Sequence, residues 1–443
     1  MPIVCVGLSH HTAPIEVRER HAFPASRMSE ALVALRDYHG IDEATMLQTC
    51  GRLEIYADVE EYEEGIAAIK AFLSNFRHAA TGYDIESFLY THLGQHAVEH
   101  LLRVATGLDS MLIGEAEILG QVKEAYVVAQ RAKSIGKTLH HLFREALRAG
   151  KAARSQTDIA RASVSIATAA IDAAAAHLGS LARTAILVVG AGKMGRAALR
   201  RLRESGAECV MVANRTASRA RELIAEAGVG EAVDFPGLVN ALAAADLVFA
   251  STGASHFILN TERVREAMER RPQRPLLVID IAVPRDADPE IALIPNVSLI
   301  DIDGLKTSIA QTLDARRGAI ADVEEIVAEY AERFAHWNHS RIALPVISML
   351  TQKAESIREA ELERLFARCP ELSERERMLI TGATMTIVSK LLHSVILKIR
   401  EKASLDRTEA LSHARVLDEL FELNLAEHIA GLVPSSVPAD AGE

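Results

Sequence analysis

Apolar residues recur along this chain in two rhythms. Short apolar or alternating runs mark strands, and a period near 3.6 marks helices. The opening third mixes them. A strand is expected over Ile3 to Leu8, then a turn over Ser9 to Pro14, a helix over Arg27 to Tyr38, and strands around Ala44 to Thr49 and Arg52 to Val59. Helices around Tyr62 to Phe76 and His96 to Thr106 complete an α+β pattern, and Gly120 to Leu178 reads as mainly helical and Ala-rich. The middle changes character. Thr184 to Val189, Cys209 to Ala213, Leu247 to Ala250 and Leu276 to Ile281 are short apolar runs separated by helical stretches. That alternation predicts a parallel sheet with crossover helices. After Asp303 nothing reads as a strand; Ile309 to Trp337, Leu350 to Phe366 and Arg375 to Lys402 are long helical stretches, of the kind that pair across a two-fold axis. The expected layout is 1–158, 159–304 and 305–432, with a frayed tail over 433–443.

Length supports that division, because 443 residues exceed what one ordinary core accommodates. Aromatics make up only 4%, so Ala, Leu, Ile and Val carry the apolar content and favour helices. No apolar run approaches bilayer length, and the first twenty residues lack the order of a signal peptide, so no membrane partner is expected. Cys5, Cys50, Cys209 and Cys369 stand alone, without C-x-x-C or Cys/His metal spacing. No metal is expected, and a reducing cytoplasm is the simplest compartment. The formal charge of −11 argues against general nucleic-acid binding. Between Lys123 and Arg161, however, nine basic residues face three acidic ones, and Arg144, Arg148, Lys151 and Arg154 fall near one helical face. Such a face holds RNA phosphates or is simply solvated; sequence alone weighs the two equally.

Gly190-Ala191-Gly192-Lys193-Met194-Gly195 matches G-x-G-x-x-G between a strand and a helix. Its glycines permit the turn, close approach of a pyrophosphate and tight helix–strand packing, and the helix N-terminus supplies free N–H groups. The next strand ends in Asn214-Arg215-Thr216, followed by Arg219, with no carboxylate to bond a ribose 2′-hydroxyl. Arginine there suits a 2′-phosphate, so NADPH is preferred to NADH. Ser251-Thr252-Gly253-Ala254 follows a later strand, where either nicotinamide-side contacts or an ordinary loop would give the same letters.

Thr49-Cys50-Gly51-Arg52 sits between two strand-like runs. A cysteine beside a cation favours the thiolate nucleophile, although a lone cysteine is more often a small buried hydrophobe. Three stretches bear on this choice: Gly7-Leu-Ser-His10-His-Thr-Ala-Pro14-Ile-Glu-Val-Arg18-Glu19; Thr49 to Tyr56; and Gly107-Leu-Asp-Ser110-Met-Leu-Ile-Gly114-Glu115-Ala-Glu-Ile-Leu-Gly-Gln121-Val-Lys123. With Val188 to Gly195, Asn214-Arg215-Thr216, Ile279 to Asp286 and Lys390-Leu-Leu-His393, the chain resembles the glutamyl-tRNA reductase family over nearly its whole length.

That resemblance implies a multidomain α/β protein: an N-terminal α+β catalytic domain, a Rossmann-like NADP-binding domain and a C-terminal all-helical dimerisation domain. It implies NADPH-dependent reduction of glutamyl-tRNA(Glu) to glutamate-1-semialdehyde, the first step of the C5 route to 5-aminolevulinate and tetrapyrroles, in a homodimer whose aldehyde passes to glutamate-1-semialdehyde aminotransferase. Cys50 matches the nucleophile and His100 the histidine that assists proton transfer; without the resemblance His100 would equally be a helix-surface residue. Arg52 matches the residue that grips the glutamyl carboxylate. Thr49, Gly51, Ser110, Glu115, Ala116, Glu117, Gln121 and Ser165 fall on substrate-side positions. Departures exist. The family usually has asparagine at position 51, proline and glutamine at 116 and 117, glycine at 160 and asparagine at 389, where this chain has Gly51, Ala116, Glu117, Ala160 and Ser389. Two alternatives remain at this stage: an oxidoreductase of shikimate-dehydrogenase type, which would not need Cys50, and a non-catalytic paralogue.

Overall fold

The computed structural model describes residues 2–75, 85–115, 117–159, 166–254, 256–309, 317–405, 412 and 416–423. Ala116, Ser165 and the tail 433–443 lie outside them, as does Ala160. The chain divides into two compact units, one of residues 3–58 with 63–327, the other of 328–443 with 1–2 and 59–62.

The N-terminal part is built from β1 (Ile3–Ser9), α1 (Ile15–His21), α2 (Met28–Arg36), β2 (Ile41–Gln48), β3 (Arg52–Val59), α3 (Tyr62–Asn75), β4 (Tyr90–Leu93), α4 (Gln95–Thr106), α5 (Ile118–Arg131) and α6 (Lys137–Gln156). Its four strands run in the order β2-β3-β1-β4. β1 is antiparallel to both neighbours, with Gly7 opposite Glu54 on one side and Tyr90 on the other. Gly7 has a steric reason: a Cβ there would come within 2.8 Å of both Glu54 Cα and Cγ. The missing side chain opens the sheet face across which Tyr90 Oη reaches Glu54 Oε1 at 2.6 Å.

The second part begins with α7 (Ile166–Leu178) and alternates thereafter: β5 (Ile186–Val189), α8 (Lys193–Glu204), β6 (Val210–Ala213), α9 (Ala217–Ala227), β7 (Glu231–Val233), α10 (Leu238–Ala244), β8 (Leu247–Ala250), α11 (Thr261–Glu269), β9 (Leu276–Asp280), β10 (Val297–Asp301) and α12 (Ile302–Ile309). All six strands pair in parallel, in the order β10-β9-β8-β5-β6-β7. This is the doubly wound arrangement with its reversal between β5 and β8, where ligands bind outside the strand ends. Buried residues of both faces, such as Val188 and Phe249 on one and Val189 and Val248 on the other, make two apolar layers.

The last unit holds most of α13 (Arg317–Arg368) and α14 (Glu374–Leu405). The expected separate stretches around Trp337 and Leu350 to Phe366 are one helix; 310–316 fall outside the described residues. Ser373 and Glu376 form a reciprocal cap at the start of α14, with Ser373 N to Glu376 Oε2 at 2.9 Å and Glu376 N to Ser373 Oγ at 3.4 Å. One expectation needs correcting: Glu374–Ile399 is a helix long and apolar enough, by length and composition, to cross a membrane. Its charges gather at the start, Glu374 to Arg377, and leave only Lys390 and Lys398 in the apolar remainder.

Candidate active site

The turn that carries Cys50 is fastened by its own neighbours. Thr49 N donates to Arg52 O at 2.9 Å, Gly51 N to Thr49 Oγ1 at 3.1 Å, and His10 N to Gly51 O at 2.8 Å. Gly51 has room for a side chain: a Cβ would meet His10 Nδ1 at 3.6 Å and Thr49 Oγ1 at 3.9 Å, which is ordinary contact. Cys50 packs against the apolar cluster that holds Ile15, Leu112 and residues of β5, β6, β8 and β9, the same cluster against which Ala191 and Met194 of the glycine turn pack. Part of the residue reaches the surface. Dense packing around the thiol nevertheless pushes its pKa up to about 12, with Glu115 and Glu117 adding to the rise and Arg18 opposing it. A thiolate favoured by the neighbouring arginine, as the sequence suggests, is therefore not what this arrangement produces.

Arg52 points elsewhere. Its guanidinium is buried and pairs with Glu54 Oε1 at 2.5 Å and Asp109 Oδ2 at 2.9 Å, and it also bonds the Asp109 carbonyl. Glu54 is fully buried. It takes hydrogen bonds from Tyr56 Oη at 2.7 Å and Tyr90 Oη at 2.6 Å, and contacts His100 Nε2 at 2.9 Å. Burial acts to raise its carboxyl, but Arg52 and His100 prevail and hold it well below the ordinary range. His100 thus stands on α4 with one ring nitrogen engaged by a fixed carboxylate, which sets the ring's orientation. His92 lies beside it, ring centres 4.4 Å apart, and burial together with His100 pushes its pKa down to about 4.

A second group lies between α4 and α5. Glu115 is buried, and burial, reinforced by Glu117, pushes its carboxyl up to about 7. Ser110 lies close enough to oppose that rise. Gln121 Oε1, on α5, is buried with no hydrogen-bond partner among the described residues. Arg154, at the end of α6, donates Nη2 to the Glu115 carbonyl at 3.0 Å, while Arg144, Arg148 and Lys151 on the same helix stay exposed. The basic face therefore runs up to the backbone of the loop between α4 and α5.

In the doubly wound part, Asn214, Arg215, Thr216 and Arg219 line a cavity of about 320 Å³ together with Thr252, Gly253 and Ala254. The glycine turn opens toward Asn214, whose Oδ1 accepts from Ala191 N at 3.3 Å. Gly190 has φ +110°, and a Cβ there would meet Ser251 O at 2.8 Å, whereas one at Gly192 would meet nothing within 4 Å. Gly192 thus faces open space at the helix start, as a bound pyrophosphate requires, and Lys193 is exposed beside it. Sequence reasoning did not find Phe235, His256 and Ile258, which also line the cavity. Nor did it find Asp286, which fixes the loop by accepting from Thr252 N at 2.5 Å and from the Thr252 hydroxyl. Phe235 follows β7 and His256 and Ile258 follow β8, outside any motif, while Asp286 ends the Ile279 to Asp286 stretch, quoted for the resemblance without a role at the cavity.

A parallel sheet with this glycine turn, a cavity at its reversal and a thiol-bearing domain packed on its core define a nicotinamide-nucleotide-dependent oxidoreductase. Comparison with known proteins agrees. Family models match at residues 6–157 (glutamyl-tRNAGlu reductase, N-terminal domain), 172–308 (shikimate/quinate 5-dehydrogenase) and 322–423 (glutamyl-tRNAGlu reductase, dimerisation domain). The chain is 40% identical over 442 residues to glutamyl-tRNA reductase of Pelotomaculum thermopropionicum, covering 100% of this chain and 98% of that one. It is 39% identical over 404 residues to that of Bacillus subtilis, covering 91% and 88%. Among solved structures, glutamyl-tRNA reductase from Methanopyrus kandleri matches with a TM-score of 0.51 and 33% identity, covering 95% of this chain and 99% of that one. The chain belongs to the glutamyl-tRNA reductase family.

Proposed function

We infer that this protein reduces glutamyl-tRNA(Glu) to glutamate-1-semialdehyde with NADPH, through a thioester on Cys50, and so opens the route to 5-aminolevulinate and tetrapyrroles. The observation that carries the reading is the position of Cys50, on a fastened turn and against the same apolar layer as the nucleotide-binding glycine turn.

The Cys50 sulfur attacks the ester carbonyl as the thiol proton passes to His100; a C–S bond forms and the C–O bond to the tRNA ribose breaks. His100, oriented by Glu54, protonates the departing ribose oxygen. Arg52 holds the glutamyl carboxylate in competition with Asp109, and Thr49, Ser110, Glu115 and Gln121 line the acyl group, with the unpaired Gln121 Oε1 offering an acceptor. Ala116, Glu117 and Ser165 belong to the same proposed set. NADPH held at the glycine turn would supply the hydride that the thioester carbon takes up. The resulting thiohemiacetal expels the Cys50 thiolate and releases the aldehyde. Packing of the turn on the apolar layer keeps water from the thioester, which it would hydrolyse.

Gly190, Ala191, Gly192, Lys193, Met194 and Gly195 would hold the pyrophosphate, with Asn214 and Thr216 at the adenosine ribose. Arg215 and Arg219 supply the cations that a 2′-phosphate needs, which favours NADPH over NADH. The exposed Arg144, Arg148 and Lys151 fit tRNA phosphates. Met378, Leu379, Met385, Ile387, Leu391 and Leu397 expose apolar surface on α14, which suits burial against a second copy in a homodimer. The domain limits 158, 304 and 432 follow from this reading, as do a cytoplasmic setting and transfer of the aldehyde to an aminotransferase.

The test is incubation with tRNA carrying radiolabelled glutamate, without NADPH, followed by a denaturing gel. Label on the wild type, lost in Cys50→Ser and discharged by NADPH, is the expected result. Unlabelled protein that still binds the tRNA would sink the reading.

A further inference from the structure

Helix α1 joins the thiol-bearing turn to the nucleotide-binding part through charges that neither part satisfies by itself. Ile15, its first residue, is buried in the apolar layer of the six-stranded sheet, alongside Ile279, Ile281 and Leu305. The residue before it, Pro14, supplies no side-chain cap. The cap comes from α12, some 290 residues on: Asp303 Oδ2 accepts from Ile15 N at 3.0 Å. Along α1, Arg285 is gripped through four of its donors. Its backbone N and Nε each donate to Glu19 Oε2 at 3.1 Å, and Nη2 to Glu19 Oε1 at 2.8 Å, while Nη1 donates to Glu16 at 2.8 Å. The adjacent Asp286 is the residue that secures Thr252 of the cofactor cavity.

Between these fastenings lies Arg18, buried in the middle of α1. Its Nε donates to Ala13 O at 3.1 Å, Nη1 to the Cys50 carbonyl and Nη2 to Asp303 Oδ1. One planar guanidinium therefore holds the nucleophile's own backbone with one arm and the nucleotide-binding part with another. A guanidinium fixed at both edges leaves its third acceptor little rotational freedom, so the position of the Cys50 carbonyl depends on where Asp303 sits.

We propose that Arg18 is a positioning residue for Cys50, and that Asp303 sets its grip, so that the thiol is aligned for attack on the ester only while the nucleotide-binding part is docked on α1. The device links two requirements of the reaction. A thioester formed before the hydride source is in place is exposed to water; tying alignment of the sulfur to docking delays acylation until that part is seated. The attack itself is the one already described, with the C–S bond forming as the ester C–O bond breaks and the ribose oxygen taking the proton. Arg18 touches none of the reacting atoms and acts through the Cys50 carbonyl. Its opposing effect on the rise of the Cys50 pKa is in the same sense, since a cation displaced from the turn would leave the thiol still harder to ionise.

This inference rests on the reading of Cys50 as nucleophile, and the test separates the two. Full-length protein is mixed with tRNA carrying radiolabelled glutamate, without NADPH, and thioester formation is followed by rapid quench at several tRNA concentrations. In parallel, alkylation of Cys50 by iodoacetamide is followed by peptide mass spectrometry, which resolves it from the exposed Cys209. Arg18→Gln and Asp303→Asn are each expected to slow the limiting acylation rate roughly tenfold or more, the scale of a misaligned reacting group, with an unchanged half-saturating tRNA concentration. Arg18→Gln is also expected to move the alkylation profile of Cys50 to higher pH. Should Arg18→Gln fail to fold, Asp303→Asn, which leaves the arginine in place, decides alone. Wild-type labelling at Cys50 with Asp303→Asn acylating just as fast overturns the positioning role and leaves the nucleophile reading intact. Absence of label on the wild type, or label that survives Cys50→Ser, removes both.

Discussion

Two buried carboxylates of the N-terminal part meet opposite fates. Glu54 is fully enclosed in the sheet yet is held ionised, well below the ordinary carboxylate range, because Arg52 lies against it and His100 and two tyrosine hydroxyls bond it. Glu115 is enclosed in the loop between α4 and α5 and is pushed up to about 7, by burial first and by a second carboxylate, Glu117, after it. Burial costs the charged form in both places; a paired cation decides which side wins. The first cluster therefore keeps its charge, and in the second the charged form of Glu115 is disfavoured. Cys50, pushed up to about 12, belongs electrostatically to the second.

Breaking the first cluster should have the largest effect. Glu54→Gln leaves Arg52 buried with only Asp109 to balance it, and should cost about 3–5 kcal/mol of stability, read by denaturant unfolding. The accompanying pH signature has a definite sign. A carboxyl held below its unfolded value adds stability above the ordinary carboxylate range, and that stability is lost as pH falls below it. Wild type should therefore lose stability on acidification more steeply than Glu54→Gln.

The second cluster runs the other way. A carboxyl raised to about 7 binds its proton more tightly in the folded state, so its contribution is greatest at low pH and fades as pH climbs from the ordinary range to about 7. Glu115→Gln should flatten that decline, leaving the similar share of Asp280, which burial also raises to about 7. It should also lower the midpoint of Cys50 alkylation by roughly one pH unit, the scale expected for removal of a nearby like charge. Unchanged alkylation would show that the two groups are not coupled.

Glu117→Gln restores the residue usual in the family and should shift the same profile in the same direction by less, since Glu117 is the weaker of the two influences on Cys50. Gly51→Asn should change least. The space around position 51 admits a Cβ at ordinary contact distance, so stability should stay within about 0.5 kcal/mol of wild type by thermal unfolding.

Strands and helices with strong apolar rhythm were readable from the chain: β1, β3, β5, β6, β8 and β9 fall where the pattern places them. The misses are instructive. β4 is Tyr-Thr-His-Leu and only half-buried, β7 is a three-residue edge strand, and β10, at the opposite edge, is buried only at Val297. Edge strands need less apolar content, so periodicity has little to register. Helix α1 escaped because it is seven residues long and begins after a proline. The glycine turn and Asn214-Arg215-Thr216 were legible because a phosphate site demands particular residues at particular spacings. A cysteine beside a cation drew attention to Cys50, while the resemblance gave it a role and brought in His100.

Sequence by itself therefore determined the family, the order of the parts, the cofactor-binding turn and the letters of the thiol-bearing loop. Each is a local demand on consecutive residues, and a local demand leaves a local pattern. Only the tertiary structure decided that Arg52 faces Glu54 and Asp109 while Arg18, 32 residues before the thiol, reaches the Cys50 carbonyl. It alone brought Asp303 to cap α1 and Arg285 to hold Glu16 and Glu19. Such pairings depend on distance and burial between segments far apart in the chain, and the charge a buried group carries follows from its partner rather than from its own side chain.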